Sequence, residues 1–472
     1  MQKTKIICTI GPASDTVEIF KSLVLNGLNI ARINLSHGDQ PYIKHRIEVI
    51  KQVREELNIP VAILLDTRGP EIRTKSFVGG SVKLTAGKEI TLCNGDFDGT
   101  EESFCITYDK LYKDVSKGNT ILLDDGLIEL EVLETKDKTV RCLIKNGGVL
   151  KNKKGINIPG VYINLPALTQ HDIDDILFGI GHDVDFIAAS FIRKAEDVTE
   201  IRELLKKNGG ETIQIISKIE SQEGVDNIDE IIQVSDAIMI ARGDLGVEIP
   251  TELIPLTQKM IIEKCNITDI PVITATQMLD SMIVNPRPTR AEVSDVANAV
   301  LDGTDAIMLS GETAAGAYPI ESVKVMRRVA LASENSLNYQ QMLKKISKVQ
   351  DNTIANAVSY SACSTAMNLG AKAIICPTHS GKTVKLISMF RPSVPIIALT
   401  TNERTQRHMQ LNWGVIPILI SEETSSDVLF YKSIQKAKSM GLVSPKDLVV
   451  ITAGIPLGVA GSTNLMKIQE VT

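Results

Sequence analysis

Short aliphatic runs recur along this chain, each ending in charged or hydroxylated residues, and segments with helical spacing separate them. Residues 4–67 read KIICTIG, a helix near 15–27, NIARINLS, a helix near 40–57 ending before Pro60, and VAILLDT. This βαβαβ pattern predicts a parallel sheet. In NIARINLS, Ala31, Ile33 and Leu35 share one face, and Arg32, Asn34 and Ser36 share the other. A strand packed under helices needs one apolar face, so the polar face must look into a wet or liganded space. From about 68 to 154 the pattern changes to β-like runs (SVKLTAG, KEITLC, ESFCITY, TILLDDGLIELEVLE, TVRCLIK) separated by Gly, Asp and Asn turns. These predict a small all-β domain, a small β barrel, inserted into the α/β unit.

After residue 160 the alternation resumes. A helix at 170–181 precedes FIAASFI, a helix at 195–208 precedes QIISKIE, and an acidic helical segment leads to AIMIARGD. A helix at 251–265, PVITATQM, a helix at 289–301 and AIMLSGETA follow. Three strands before the insert and five after it predict a (β/α)8 TIM barrel interrupted after its third strand. A helix at 321–335 and a polar linker near 338–351 lead to a helix at 353–369. The runs AKAIICPT, PIIALT, VIPILIS, DLVVITAG and TNLMKIQEV complete a separate C-terminal open α/β domain. The expected domains are 1–67 with 155–337, 68–154, and 338–472.

Barrel active sites lie at the C-terminal ends of the strands. Here those ends carry Arg32, Asn34 and Ser36; Asp66 and Thr67; Ser190; Lys218 and Glu220; Asp244; Thr276; and Ser310, with the first strand the exception. Lys218 and Glu220, two residues apart, share a strand face. With Asp244 after the next strand they suit a divalent metal beside an anionic substrate. A surface ion pair is the alternative, but charged residues seldom interrupt buried strands unless paired or functional. The basic cluster Lys151, Lys153 and Lys154 returns from the insert toward this rim, with Lys151 read as a solvated turn residue. In the C-terminal domain THSGKT (378–383) ends a strand and opens a helix, an arrangement that holds phosphate on backbone N–H groups. It is not a complete P-loop, because Cys376 stands where the first glycine of that motif would fall. A second loop with Gly454, Gly458, Gly461 and Ser462 strengthens the expectation of a small phosphorylated ligand.

Composition narrows the partners. With a net charge of −6 over 472 residues, the chain is no nucleic-acid scaffold, and local basic groups must hold any anion. Seven scattered cysteines without a CxxC pair, no signal-like start and no membrane-length apolar run predict a cytoplasmic protein. His45, His171, His182 and His408 read as ordinary surface or helix residues. Trp413 reads as packing in the C-terminal domain, with a place near the pocket expected for the phosphorylated ligand as the alternative. Carboxylates, a convergent lysine and arginines, without a Ser-His or Cys-His pair, suit phosphoryl transfer or enolate chemistry on a small anion.

The motifs ARINLSHG (31–38), LLDTRGPEIRT (64–74), SFIRKAED (190–197), ISKIES (216–221), ARGDLGVE (241–248), ATQMLDSM (275–282) and LSGETAAGAYP (309–319) together resemble pyruvate kinase over essentially the whole chain. The resemblance implies an allosteric, homotetrameric enzyme of glycolysis that moves the phosphoryl group of phosphoenolpyruvate to ADP, giving pyruvate and ATP. It implies that Arg32, Lys218, Gly243, Asp244 and Thr276 would bind the substrate. Lys218 would stabilise the phosphoryl group in flight, and Thr276, with Ser310 in the relay, would deliver the proton. Glu220 and Asp244 would hold Mg²⁺ (or Mn²⁺), and a second Mg²⁺ would arrive with the nucleotide. Asn34, Ser36, Asp66 and Thr67 would hold K⁺, and Glu71 is the residue type of K⁺-dependent members. His37, Arg73 and Lys154, with Arg32 and Asn34, would orient the nucleotide.

Thr378, Ser380, Gly381, Lys382 and Thr383, with Gly458 and Gly461, would hold a phosphorylated effector. Ile455, Pro456 and Leu457 replace the Trp and Arg residues of some fructose-bisphosphate-activated members, leaving the effector's identity open. No further domain is expected after Thr472, unlike in some bacterial relatives. The competing readings are a barrel lyase acting on phosphoenolpyruvate or pyruvate, and an inactive ligand-sensing paralogue.

Overall fold

The computed structural model describes residues 1–36, 38–348, 352–456 and 463–472. Eight parallel strands close into a barrel: Lys5–Thr9, Ile30–Asn34, Ala62–Asp66, Phe186–Ala189, Gln214–Ile219, Ala237–Ala241, Val272–Ala275 and Ala306–Leu309. Three precede the insert and five follow it, as the sequence pattern predicts. The strands alternate strictly. Ile7, Ile30, Leu64, Phe186, Ile216, Met239 and Met308 meet inside the barrel, while their neighbours, such as Ile33, Ile63 and Ile215, pack outward under the helices. Two residues further along, the same inward positions become Thr9, Arg32, Asp66, Lys218 and Ser310, and four residues beyond Phe186 comes Ser190, so the core changes from apolar to polar toward the C-terminal rim. Thr9 corrects the expectation that the first strand lacks a polar end. It is 5% exposed and accepts a hydrogen bond from Arg32 Nη1 at 2.8 Å.

The insert begins with Ile72–Arg73 and ends with Gly155–Asn157, and these two short strands pair with each other. They belong to a seven-stranded sheet, and a two-stranded ribbon joins Ser81–Leu84 to Gly148–Lys151. A lone bridge, Thr74 to Ile106, links opposite margins of the larger sheet around a separate core that includes Phe77, Phe104, Leu123 and Val132. The run TILLDDGLIELEVLE forms two strands, because Asp124, Asp125 and Gly126 all take positive φ and turn the chain. Lys151 ends a strand and is exposed, so it is solvated as expected but does not lie in a turn.

The C-terminal sheet has four parallel strands and an antiparallel edge strand, Thr463–Glu470, with apolar clusters on both faces. One expectation fails at its entrance. The segment read as a polar linker contains the helix Tyr339–Ser347, with Leu343 and Ile346 buried. Its apolar residues at 339, 342, 343 and 346 follow the helical period, which a composition-led reading overlooks.

This domain packs against the N-terminal ends of the barrel strands, away from the polar rim. Leu411 joins the barrel-interior cluster, Arg407 Nε meets Asp185 at 2.6 Å, and Arg391 Nη1 meets Asp305 at 2.6 Å. His408 ends the helix Glu403–His408, a helix residue as expected, and is half-buried at the same seam with its ring 5.4 Å from that of Phe186. Burial, with the Arg404 charge adding to it, lowers its pKa to about 4. Trp413 also lies at the seam, where Lys3 and Arg391 approach its ring at 5.3 and 5.2 Å. Among the described residues all seven cysteines are free thiols, and no helix is long and apolar enough to cross a membrane.

Candidate active site

The inward polar positions assemble one charge cluster. Arg32 Nε donates to Asp66 Oδ2 at 2.6 Å, and Lys218 Nζ donates to Asp66 Oδ1 at 3.0 Å and to Ser190 Oγ at 2.6 Å. Lys218 Nζ also lies 2.9 Å from Glu220 Oε1. Residues far apart in sequence meet because adjacent parallel strands keep register, Asn34 opposite Asp66 and Ala189 opposite Ser217.

Electrostatics decides which groups carry charge. Burial alone would raise the Asp66 carboxyl. Each cation about 3 Å away offers roughly 5 kcal/mol at an effective dielectric near 20, and the burial penalty is several kcal/mol per ion. Arg32 and Lys218 together win, and Asp66 stays below its ordinary pKa. Burial likewise pulls the Lys218 ammonium down, but Asp66, Glu220 and Asp244 more than reverse this and hold it above the usual lysine range. Glu220 differs. Burial, opposed by Lys218 and reinforced by Asp244, pushes it up to about 7. Glu220 and Asp244 thus repel one another at the rim, with the Lys218 ammonium 2.9 Å from Glu220 offsetting part of that repulsion.

Asp244 lies in the first turn of the short helix Arg242–Glu248 and is exposed, and its carboxylate makes no hydrogen bond or ion pair among the described residues. No group of three or more His, Cys, Asp or Glu forms a candidate metal cage among those residues. Glu220 and Asp244 are instead an all-oxygen, two-carboxylate set, the donor number Mg²⁺ commonly takes before completing its shell with water and phosphate oxygens. Asn34, Ser36, Asp66 and Thr67 meet where the second and third strands end. Asn34 Oδ1 accepts from the Ser36 amide at 3.0 Å, and the Leu35 amide donates to Asp66 O at 3.0 Å. These are hard oxygen donors as well, which suits K⁺.

Across the rim, Gly243 N donates to Thr276 Oγ1 at 2.7 Å. Thr276 and Gln277 have φ of 67° and 53°, in the left-handed region that a β-branched residue avoids. Arg242 holds this turn. Its Nη2 donates to Thr276 O at 2.8 Å and its Nη1 to Asp295 Oδ1 at 2.7 Å. The Ser310 hydroxyl is buried without a hydrogen-bond partner among the described residues, while the Ser310 amide donates to Glu312 at 2.7 Å.

Between this rim and the inserted sheets lies a cavity of about 240 Å³, whose lining includes Glu71, Arg73, Lys154, Phe191, Asp244 and Glu248. Arg73 Nε donates to Glu71 at 2.6 Å, and Lys154 lies 2.8 Å from Asp124. Both basic groups are therefore charge-paired at the cavity wall.

In the C-terminal domain, Gly381 N donates to Thr378 Oγ1 at 3.0 Å, Thr383 Oγ1 lies 2.6 Å from Thr463 Oγ1, and Ser380 and Lys382 are exposed. His37, Gly458, Gly461 and Ser462 lie outside the described residues. Sequence reasoning passed over Thr9, the Phe191 amide (2.6 Å from Glu220 Oε2), Arg242 and Glu312. Of these only Thr9 carried a signal, its position two residues beyond an inward Ile7.

An interrupted (β/α)8 barrel whose rim joins lysine, arginine and paired carboxylates beneath a cavity lined in part by Arg73 and Lys154 defines a phosphotransferase acting on small anions. The model for the pyruvate kinase barrel domain matches residues 1–323, and that for the pyruvate kinase alpha/beta domain matches residues 356–469. Curated pyruvate kinases from Bacillus licheniformis and Sporosarcina psychrophila are 53% and 52% identical, covering 100% of this chain and 81% of each relative. A crystal structure of a pyruvate kinase from Cryptosporidium parvum superposes with a TM-score of 0.96 at 39% identity, covering 100% of this chain and 96% of that one. The chain belongs to the pyruvate kinase family, and its activity is phosphoryl transfer from phosphoenolpyruvate to ADP, giving pyruvate and ATP in glycolysis.

Proposed function

We propose a division of labour at the rim, carried by one observation: Lys218 Nζ lies at the meeting point of Asp66, Ser190 and Glu220. Held as an ammonium by three carboxylates, Lys218 offers a compact positive charge where the moving phosphoryl group gathers negative charge. Arg32, oriented by Asp66 and Thr9, binds the phosphate of phosphoenolpyruvate. The Gly243 backbone and Thr276 hold its carboxylate end. Asn34, Arg73 and Lys154 receive the nucleotide, Arg73 and Lys154 exchanging Glu71 and Asp124 for its phosphates.

Glu220 and Asp244 hold Mg²⁺, which when bound offsets the repulsion between the two polyanions. Asn34, Ser36, Asp66 and Thr67 hold K⁺. After transfer, the enolate of pyruvate takes a proton through Thr276, with the unpartnered Ser310 hydroxyl next in the relay. The inserted sheets close over the cavity as a lid that excludes water from the phosphoryl group. The enzyme works in the cytoplasm as a homotetramer, and the loop Thr378–Thr383 receives a phosphorylated effector. Intact Lys218, Glu220, Asp244 and Thr276 argue against an inactive paralogue.

Omitting metals tests this arrangement. Pyruvate formation is expected to fall about 100-fold or more without Mg²⁺, the rate equivalent of several kcal/mol of lost charge stabilisation. Replacing K⁺ by tetramethylammonium is expected to cost about tenfold. Unchanged rates would remove the carboxylates and the Asn34–Thr67 cluster from these roles.

A further inference from the structure

Asp172 opens the helix Gln170–Gly181 and is fully buried. Its Oδ2 accepts from the Thr169 amide at 2.9 Å and the Thr169 hydroxyl at 2.6 Å, completing the helix's capping box. A capping box needs only that oxygen. Its Oδ1 instead accepts from the Gly69 amide at 2.9 Å, across 103 residues of chain. Gly69 lies where the chain leaves the barrel for the inserted sheets, and Thr169 ends the segment by which it returns.

Gly69 has no room for a side chain. Its φ is +74°, and a Cβ there would lie 2.8 Å from Ser190 Cβ and 2.8 Å from Phe191 Cδ2. The hinge backbone therefore rests directly on two residues that hold the charge cluster: Ser190 Oγ is 2.6 Å from Lys218 Nζ, and the Phe191 amide is 2.6 Å from Glu220.

We propose that Asp172 is a positioning residue that ties both chain crossings of the lid to the barrel rim and, through Gly69, sets the Ser190–Phe191 backbone against Lys218 and Glu220. This rests on reading the inserted sheets as a lid. A carboxylate that served only to cap a helix would affect stability and nothing else. One that fixes the hinge sets lid closure and the placement of Lys218, where small misplacements cost rate.

The test compares D172A, D172N and T169A in the full-length enzyme with Mg²⁺ and K⁺. D172A is expected to raise KM for ADP about fivefold and lower kcat about tenfold. D172N keeps an oxygen acceptor for Gly69 and is expected to restore both to within about threefold. T169A loses the cap but not the Gly69 bond. It is expected to lower Tm comparably while leaving kcat and KM within about twofold. Wild-type kinetics in D172A, or the same kinetic defect in T169A, would overturn the proposal. Should D172A not fold, G69A, which leaves the capping box intact, is expected to show the kinetic defect, and normal kinetics there would overturn it equally. Small-angle scattering of the wild type with phosphoenolpyruvate, ADP and Mg²⁺ separates the two levels. No compaction would remove the lid reading and this proposal with it, whereas compaction combined with normal kinetics in D172A removes only the role of Asp172.

Discussion

Lys218→Met is expected to lower kcat by at least about 10²-fold, the usual cost of losing one donor aimed at developing charge, while Mg²⁺ binding survives. Methionine nearly matches the lysine stem, so the barrel interior stays filled. What disappears is the ammonium that Asp66, Ser190 and Glu220 surround. Asp66 keeps Arg32, and Glu220 keeps the Phe191 amide, so neither carboxylate is stranded. Glu220 and Asp244 remain in place, which is why metal affinity, followed by Mn²⁺ relaxation or Mg²⁺ titration, is expected to persist. Near-normal turnover in the variant would remove the lysine from phosphoryl transfer.

Asp66→Asn has a different signature, because Asp66 serves both the fold and the reaction. The side chain is 1% exposed and is the carboxylate that faces Arg32 and Lys218 together. Removing one partner of a buried ion pair typically costs about 3–5 kcal/mol, because the remaining charge is left uncompensated. Denaturant unfolding is expected to show a loss of that order, and kcat is expected to fall at least about tenfold as Arg32 loses its orientation.

The pH dependence carries the sign. The folded-state pKa of Asp66 lies below its ordinary value, burial raising it but Arg32 and Lys218 lowering it further. Its stabilisation is thus fully present above the unfolded carboxylate range and is lost as pH falls through the lowered folded value. The stability gap between wild type and D66N should be constant near neutrality and close only in strong acid. Equal stability at neutral pH would show that the cluster does not support the fold.

The barrel was legible because its signal is local and repeated. Period-two alternation in NIARINLS and QIISKIE places Ile30 and Ile216 inside, and the same parity carries Arg32 and Lys218 to the rim. Glu220 followed from a two-residue spacing alone. Positions that depend on distant contacts were not legible. Asp172 looks like any first-turn helix acid, and only the fold brings Gly69 to its second oxygen. Arg407 and Asp185 are 222 residues apart, and neither segment hints at the other. The left-handed turn at Thr276 and Gln277 contains no glycine to announce it; Arg242 imposes it from outside. The two- and three-residue strands that open and close the insert are too short to show a period.

Pyruvate release from phosphoenolpyruvate by the purified chain tests phosphoryl transfer at the barrel rim most directly. With Mg²⁺ and K⁺ present, pyruvate is expected to form only when ADP is supplied, with one ATP appearing per pyruvate. Pyruvate formed at the same rate without ADP would contradict phosphoryl transfer at the Lys218 cluster.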